Sequence, residues 1–333
     1  MEKIFKVGIL GAGHIAEKMA FTLSEMEEAC CLAVGSRSQE KADAFAQRFG
    51  IPRAYGSYES LLDDSELDLV YIATPHSHHY NPARMAILKG KNCLVEKSFM
   101  ANAVQAKEIL SLAKERGVFV AEAIYTRYVP AVDIIRGIIR SGAVGKGRTV
   151  SATLSYPIVH KERIVKPELA GGSLLDIGVY GINFVRTYCD SPIVGMSSIS
   201  SKLPSGVDLS DSISFVHEDG TLSQVLTSVD CQGDNIGVIA GPKANIWVDD
   251  TNNPKVIRLY SDHHKLLEEH YVPEQISGFE YEVLACRDAI GKGLVEAPQM
   301  PHSEILYIME LMDSLRKEWG VEYPMDRDPF AVI

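Results

Sequence analysis

Ile4-Phe5-Lys6-Val7-Gly8-Ile9-Leu10-Gly11-Ala12-Gly13-His14-Ile15-Ala16 is the stretch that decides the fold. Its apolar run, 4–10, reads as a buried strand, the following residues to about 26 read as a helix, and a second apolar run, 30–35, reads as the next strand. The turn between the first strand and the helix has the pattern Gly-x-Gly-x-x-Ala, the place where a pyrophosphate meets a helix N-terminus. Gly11 permits the tight turn, Gly13 leaves room for phosphates, and Ala16 lets the helix close on the strand. With His14 and Ile15 between them, these residues form the expected cradle of a dinucleotide.

The alternation continues outward. Helical stretches at 38–50, 79–90 and 102–117 are interleaved with apolar runs at 69–74, 92–96 and 118–122. Strands alternating with helices imply a parallel sheet, so residues 1–122 are expected to form a doubly wound Rossmann domain. Its ligand belongs at the carboxyl ends of the strands. Those ends carry Ser36-Arg37, Thr74-Pro75-His76, Glu96-Lys97 and Glu122.

The end of the second strand bears on which dinucleotide binds. An NAD site presents a carboxylate there for the ribose 2′-hydroxyl, whereas this chain has Ser36-Arg37-Ser38, with Lys41 one turn on. A guanidinium and hydroxyls suit a 2′-phosphate, so NADP is favoured and NAD is the less favoured cofactor. The alternative for Arg37 and Lys41 is an ordinary solvated helix face.

Residues 123–333 follow a different pattern. After a helical stretch to 141, strand-like runs at 148–156, 194–202, 212–217, 221–229, 236–249 and 256–260 are separated by tight turns, and helices at 278–291 and 302–320 close the chain. This predicts an α+β domain with a large, open, mostly antiparallel sheet for substrate binding and oligomerisation. An open sheet needs its exposed face or edges covered, which points to a homodimer or a higher homo-oligomer.

The 333 residues are 46% hydrophobic, enough for two cored domains. The formal charge of −11 argues against nucleic acid or an anionic membrane as a general partner. Met1-Glu2-Lys3-Ile4-Phe5-Lys6 has no apolar segment of signal-peptide length, and no run reaches the roughly 18 residues that span a bilayer, so a cytoplasmic location is expected. Six scattered cysteines without a Cys-x-x-Cys pair read as reduced core residues. His76, His78 and His79 lack a carboxylate or thiolate at ligand spacing, and no metal is expected.

Gly171-Gly172-Ser173-Leu174-Leu175-Asp176-Ile177-Gly178-Val179-Tyr180 begins a helix in the second region, with Ser173 as a candidate N-cap. Asp176 and Tyr180, four apart, share a face. Lys97, at a strand end where a nicotinamide would lie, stabilises a neighbouring phenolate, and hydride transfer at an oxygen-bearing carbon requires one proton moved at that oxygen. Tyr180 with Lys97 is thus the candidate acid/base pair, and Asp176 orients the pair or the substrate.

Taken together, Gly11 to Ala16, Ala73-Thr74-Pro75-His76 with His79, Glu96-Lys97-Ser98, and Gly172 to Tyr180 resemble the Gfo/Idh/MocA oxidoreductases over nearly the whole chain. The resemblance implies NAD(P)-dependent oxidation or reduction of sugars, polyols or related alcohols. Glu96-Lys97-Ser98 departs from the usual Glu-Lys-Pro. Tyr180 replaces a frequent histidine and resembles the branch of dimeric dihydrodiol dehydrogenase and NADP-dependent D-xylose dehydrogenase, where the matching Lys and Tyr are the catalytic pair. The resemblance further implies that His79 borders the nicotinamide ribose and that Arg127 lies at the cofactor. It places Tyr125, Tyr156, Lys166 in the loop 157–170, and Phe279 at the substrate. A cofactor-binding sensor without catalysis is the alternative function.

Overall fold

The computed structural model describes residues 3–146 and 148–331. Met1 and Glu2 of the N-terminal stretch, Gly147, Val332 and Ile333 lie outside the described residues. The chain divides into two compact units: residues up to Tyr125 with Gln275–Glu310 and those from Pro324 onward, and Thr126–Glu274 with Leu311–Tyr323.

The first unit contains six strands: β1 (Phe5–Leu10), β2 (Ala29–Gly35), β3 (Arg53–Tyr55), β4 (Leu69–Ile72), β5 (Cys93–Glu96) and β6 (Val120–Ala123). They form one parallel sheet in the order β3-β2-β1-β4-β5-β6. The order reverses at β1/β4, the switch point where such sheets bind ligands. β4, β5 and β6 are buried along their whole length, as strands covered by helices on both faces must be. Side-chain caps and left-handed glycines bound the covering helices. Ser38 Oγ accepts from Lys41 N–H and Gly50 ends the helix Gln39–Phe49, while Asn102 and Gly117 do the same for Ala103–Arg116.

The division at 122/123 expected from sequence differs from these units. Residues 275–310 lie with the first unit because Ser277 Oγ bonds Thr22 Oγ1 at 2.6 Å, Val120 N–H donates to Val295 O at 3.0 Å, and His302 Nε2 lies 2.9 Å from Val120 O.

The second unit is built on an eight-stranded sheet: β7 (Thr149–Ser155), β8 (Ile193–Lys202), β9 (Asp208–His217), β10 (Leu222–Ser228), β11 (Gly237–Ala240), β12 (Ala244–Val248), β13 (Val256–Ser261) and β14 (Leu266–Tyr271). The order is β14-β13-β12-β11-β7-β10-β9-β8, antiparallel except for the parallel β7/β10 pair. The helix Val179–Tyr188 packs on β7 and β10. The run 236–249 is two strands, broken at Gly241-Pro242-Lys243, and β14 lies beyond the strands read from sequence. Five of the six β14 residues are exposed, so it is an edge strand joined through its backbone and shows no burial alternation. No helix among the described residues is long and apolar enough to cross a membrane.

Candidate active site

At the first turn of the first unit, Gly11 has φ of +107°, and a Cβ there would meet Ala73 O at 2.7 Å. Only glycine fits without strain. A Cβ on Gly13 would meet nothing within 4 Å, so the approach to the helix His14–Ser24 is open. That helix starts without a side-chain cap, and in its first turn Ala16 is fully buried, His14 exposed and Ile15 half-buried. Uncapped N–H groups behind an open glycine fit a pyrophosphate.

Beyond β2, Ser36 is buried and Arg37 exposed. Arg37 lines a cavity of about 360 Å³ with Ser57, Tyr58, Glu59, His78 and Asn81. Burial, helped by the Arg37 charge, holds the His78 imidazole below its ordinary range. Arg37 with neutral hydrogen-bonding groups fits an adenosine 2′-phosphate, with Glu59 the one acid on the wall. Lys41 is exposed, its N–H donating to Ser38 Oγ at 3.4 Å. Ser57, Tyr58 and Asn81 escaped the sequence reading because they come from the 56–62 and 79–88 segments, far from the glycine turn.

Between β4 and β5, His79 is fully buried, with Nε2 2.8 Å from Thr74 O and Nδ1 3.0 Å from Ser98 O. It ties the Thr74-Pro75-His76 turn to the segment after Lys97. Burial brings its pKa down to about 4, so the ring is neutral at physiological pH. His76 packs edge-on at 5.9 Å from its ring, and Thr74 Oγ1 donates to His78 O at 3.0 Å.

Glu96 ends β5. It accepts from Tyr71 Oη and, at 3.1 Å, from Lys97 N–H, while burial pushes its carboxyl up. Lys97 is half-buried and its peptide bond to Ser98 is cis. Tyr125 and Phe279 pack ring to ring at 5.0 Å, both buried. The Lys18 ammonium lies 4.1 Å from the Phe279 centroid and 5.0 Å from that of Tyr125. The aromatic wall expected there meets a lysine of the same unit, a cation–π contact that the sequence reading missed.

In the second unit, Ser173 is helical and its side chain does not cap. The N–H of Leu174 is received instead by Asp208 of β9, and Ser173 Oγ bonds Thr227 Oγ1 at 2.8 Å. This corrects the Ser173 expectation: a buried carboxylate from a distant strand is the stronger acceptor. Leu174–Gly178 is one π-helical turn, continued by the α-helix Val179–Tyr188. Such turns are frequent at functional sites. Asp176, buried on the π turn, pairs with Arg163 from the loop 157–170. Tyr180 is 9% exposed and lines a small cavity with Val129, Phe184, Tyr188, Thr251 and Pro254.

Arg127 belongs to this second unit, where its Nε donates to Asn183 Oδ1 at 2.7 Å. Lys166 pairs with Glu162 on the surface, and Tyr156 Oη accepts from Asn252 Nδ2 at 3.5 Å. Burial and the nearby Asp250 carboxylate push the Tyr156 phenol up. The structure thus brings the dinucleotide candidates other than Arg127, with Lys97, Tyr125 and Phe279, into one unit, and Arg127, Asp176, Tyr180, Tyr156 and Lys166 into the other. No metal-holding group of three or more His, Cys, Asp or Glu occurs among the described residues.

Residues 5–124 match a family model described as an oxidoreductase family with an NAD-binding Rossmann fold, and residues 132–247 match a GFO/IDH/MocA C-terminal domain. The trans-1,2-dihydrobenzene-1,2-diol dehydrogenase of Mus musculus is 30% identical over 96% of this chain and 98% of its own. The enzyme of that name from Xenopus tropicalis is 31% identical over 96% and 99%. Among solved structures, an aldose-aldose oxidoreductase from Caulobacter crescentus complexed with glycerol superposes with a TM-score of 0.85 at 21% identity, covering 96% of this chain and 98% of its own. A 3-ketoreductase mutant from Actinomadura kijaniata in complex with TDP-benzene and NADP gives 0.82 at 23%, covering 95% and 98%.

Proposed function

The chain belongs to the GFO/IDH/MocA oxidoreductase family, and from that premise we propose that it is an NADP-dependent enzyme acting on a secondary alcohol or hemiacetal carbon of a sugar, polyol or dihydrodiol. When bound, the dinucleotide supplies the hydride acceptor or donor at nicotinamide C4. The single observation carrying the cofactor reading is the open, uncapped helix start at Gly13, on the same sheet edge as the Arg37 cavity and Lys97. The helix N–H groups hold the pyrophosphate, and Arg37 takes the 2′-phosphate as a planar fork.

Tyr180, as a phenolate stabilised by the Lys97 ammonium, takes the substrate hydroxyl proton during oxidation, and as the phenol returns it during reduction. Asp176, held by Arg163, fixes the substrate hydroxyl against Tyr180. Tyr156, Asn252 and Asp250 add a phenol, an amide and a carboxylate, donors and acceptors that suit a hydroxyl-rich substrate.

The test is the initial rate of NADPH or NADH formation across aldoses, inositols and trans-dihydrodiols, with both oxidised dinucleotides in parallel. Turnover with a preference for NADP+ is expected. Tight NADPH binding with no turnover on any member would favour the sensor reading, and a preference for NAD+ would remove Arg37 from cofactor selection.

A further inference from the structure

Glu282, on the helix Phe279–Gly291 of the first unit, is fully buried, and neither of its carboxyl oxygens makes a hydrogen bond. Buried polar atoms are nearly always satisfied, so an orphaned carboxyl demands a reason. An anion without a donor at zero exposure is costly, whereas a neutral acid costs far less.

The charged groups acting on Glu282 are Glu96 of β5, Glu122 of β6, Lys18 of the helix His14–Ser24, and Glu280 of its own helix. Cys286, also on that helix, is buried and uncharged, its thiol pushed up by burial and by Glu282. Three of these neighbours are acids whose oxygens have donors. Glu96 receives Tyr71 Oη and Lys97 N–H, Glu122 receives Phe99 N–H at 2.9 Å, and Glu280 receives the N–H groups of Ile276, Ser277 and Gly278. The neighbours are therefore equipped to be anions and Glu282 is not. Burial, and next the Glu96 charge, push the Glu282 carboxyl well above the usual carboxylate range.

The position gives this acid its significance. It stands behind Glu96, the last residue of β5, and the chain passes directly from Glu96 to half-buried Lys97. NADP+ and NADPH carry the same phosphates and differ by one positive charge on the nicotinamide ring. A buried acid without hydrogen-bond donors, near the hydrogen-bonded Glu96 at the sheet edge assigned above to that ring, responds to this difference.

We propose that Glu282 is a proton-carrying residue of the cofactor reaction: neutral in the free protein and with NADPH, it loses its proton when the oxidised dinucleotide binds, and regains it when the nicotinamide is reduced. The O–H bond breaks heterolytically, the electron pair stays on the carboxylate, and the proton is released to solvent. Nothing in the protein is oxidised or reduced. The consequence is a cofactor preference that moves with pH. Raising the pH favours the oxidised dinucleotide and leaves the reduced one unaffected.

This rests on the dinucleotide reading, and the experiment separates the two. Calorimetric titration of the whole protein with NADP+ and with NADPH, at one pH in PIPES and in imidazole buffer, counts protons from the dependence on buffer ionisation enthalpy. The expected result is net release with NADP+ beyond that with NADPH, and an NADP+ affinity that tightens by up to about tenfold per pH unit while the NADPH affinity stays flat. Glu282→Gln keeps the shape, binds both dinucleotides and loses the difference. Equal proton counts for the two dinucleotides in the unaltered protein, a comparison independent of how any variant folds, would overturn the inference alone. So would a difference that persists in Glu282→Gln. Failure of both dinucleotides to bind would overturn the cofactor reading and this inference with it.

Discussion

The two units build their sites from different materials. In the first, the turn at Gly11 and Gly13 and the uncapped helix His14–Ser24 are backbone features, and Arg37 and Lys97 are added at strand ends. In the second, Asp176 is held by Arg163, and the π turn carrying it is anchored by Asp208 through Leu174 N–H. A backbone site tolerates loss of a side chain, whereas a site of mutually satisfied side chains does not, because each deletion strands a buried partner.

The largest effect expected to sharpen this division comes from Tyr180→Phe. It should lower kcat by about 10² to 10⁴ and change NADPH binding less than about twofold, read by steady-state kinetics and fluorescence titration. Parallel loss of both would break the division. Next comes acid stability. The folded pKa of His79, about 4, lies below its ordinary 6.5, so the unfolded chain takes up the proton first, and stability present above 6.5 is lost as the pH falls toward 4. That loss is worth about 3 kcal/mol, and His79→Asn should remove it from denaturant curves measured across that range.

The buried Asp208 and Asp211 have the opposite sign. Burial, and for Asp211 the neighbouring Asp208, raise these carboxyls, so their contribution is fully present below the ordinary carboxylate range and is lost as the pH rises through the raised one. Asp211→Asn should flatten that decline. Removal of the cap by Asp208→Ala should cost about 1 to 3 kcal/mol in urea unfolding without weakening dinucleotide binding. The smallest expected effect is Arg37→Gln, a loss of about tenfold in NADP+ affinity with NAD+ affinity unchanged. Equal loss for both would assign Arg37 a role other than 2′-phosphate recognition.

Legibility in the sequence follows the same division. The parallel sheet was readable because each strand–helix repeat is encoded locally, by apolar runs, capping residues such as Ser38 and Asn102, and glycines at left-handed positions. The exposed leucines and glutamates of β14 carried no such signal, and Gly241-Pro242-Lys243 was not read as a turn inside an apolar run. Ser173, a good N-cap by type, lost that role to Asp208, which stands 35 residues later in the chain.

The sequence by itself determined the Gly-x-Gly-x-x-Ala turn, the parallel sheet implied by the strand–helix alternation, and the basic character at the end of β2, because each is encoded in short local segments. Only the tertiary structure decided that Arg163 holds Asp176, that Tyr125 and Phe279 close on Lys18, that 275–310 joins the first unit, and that Glu282 is buried beside Glu96. These pairings join segments separated by long stretches of chain. Hydrophobic periodicity states which face of an element is buried, and the partner on that face is chosen by packing.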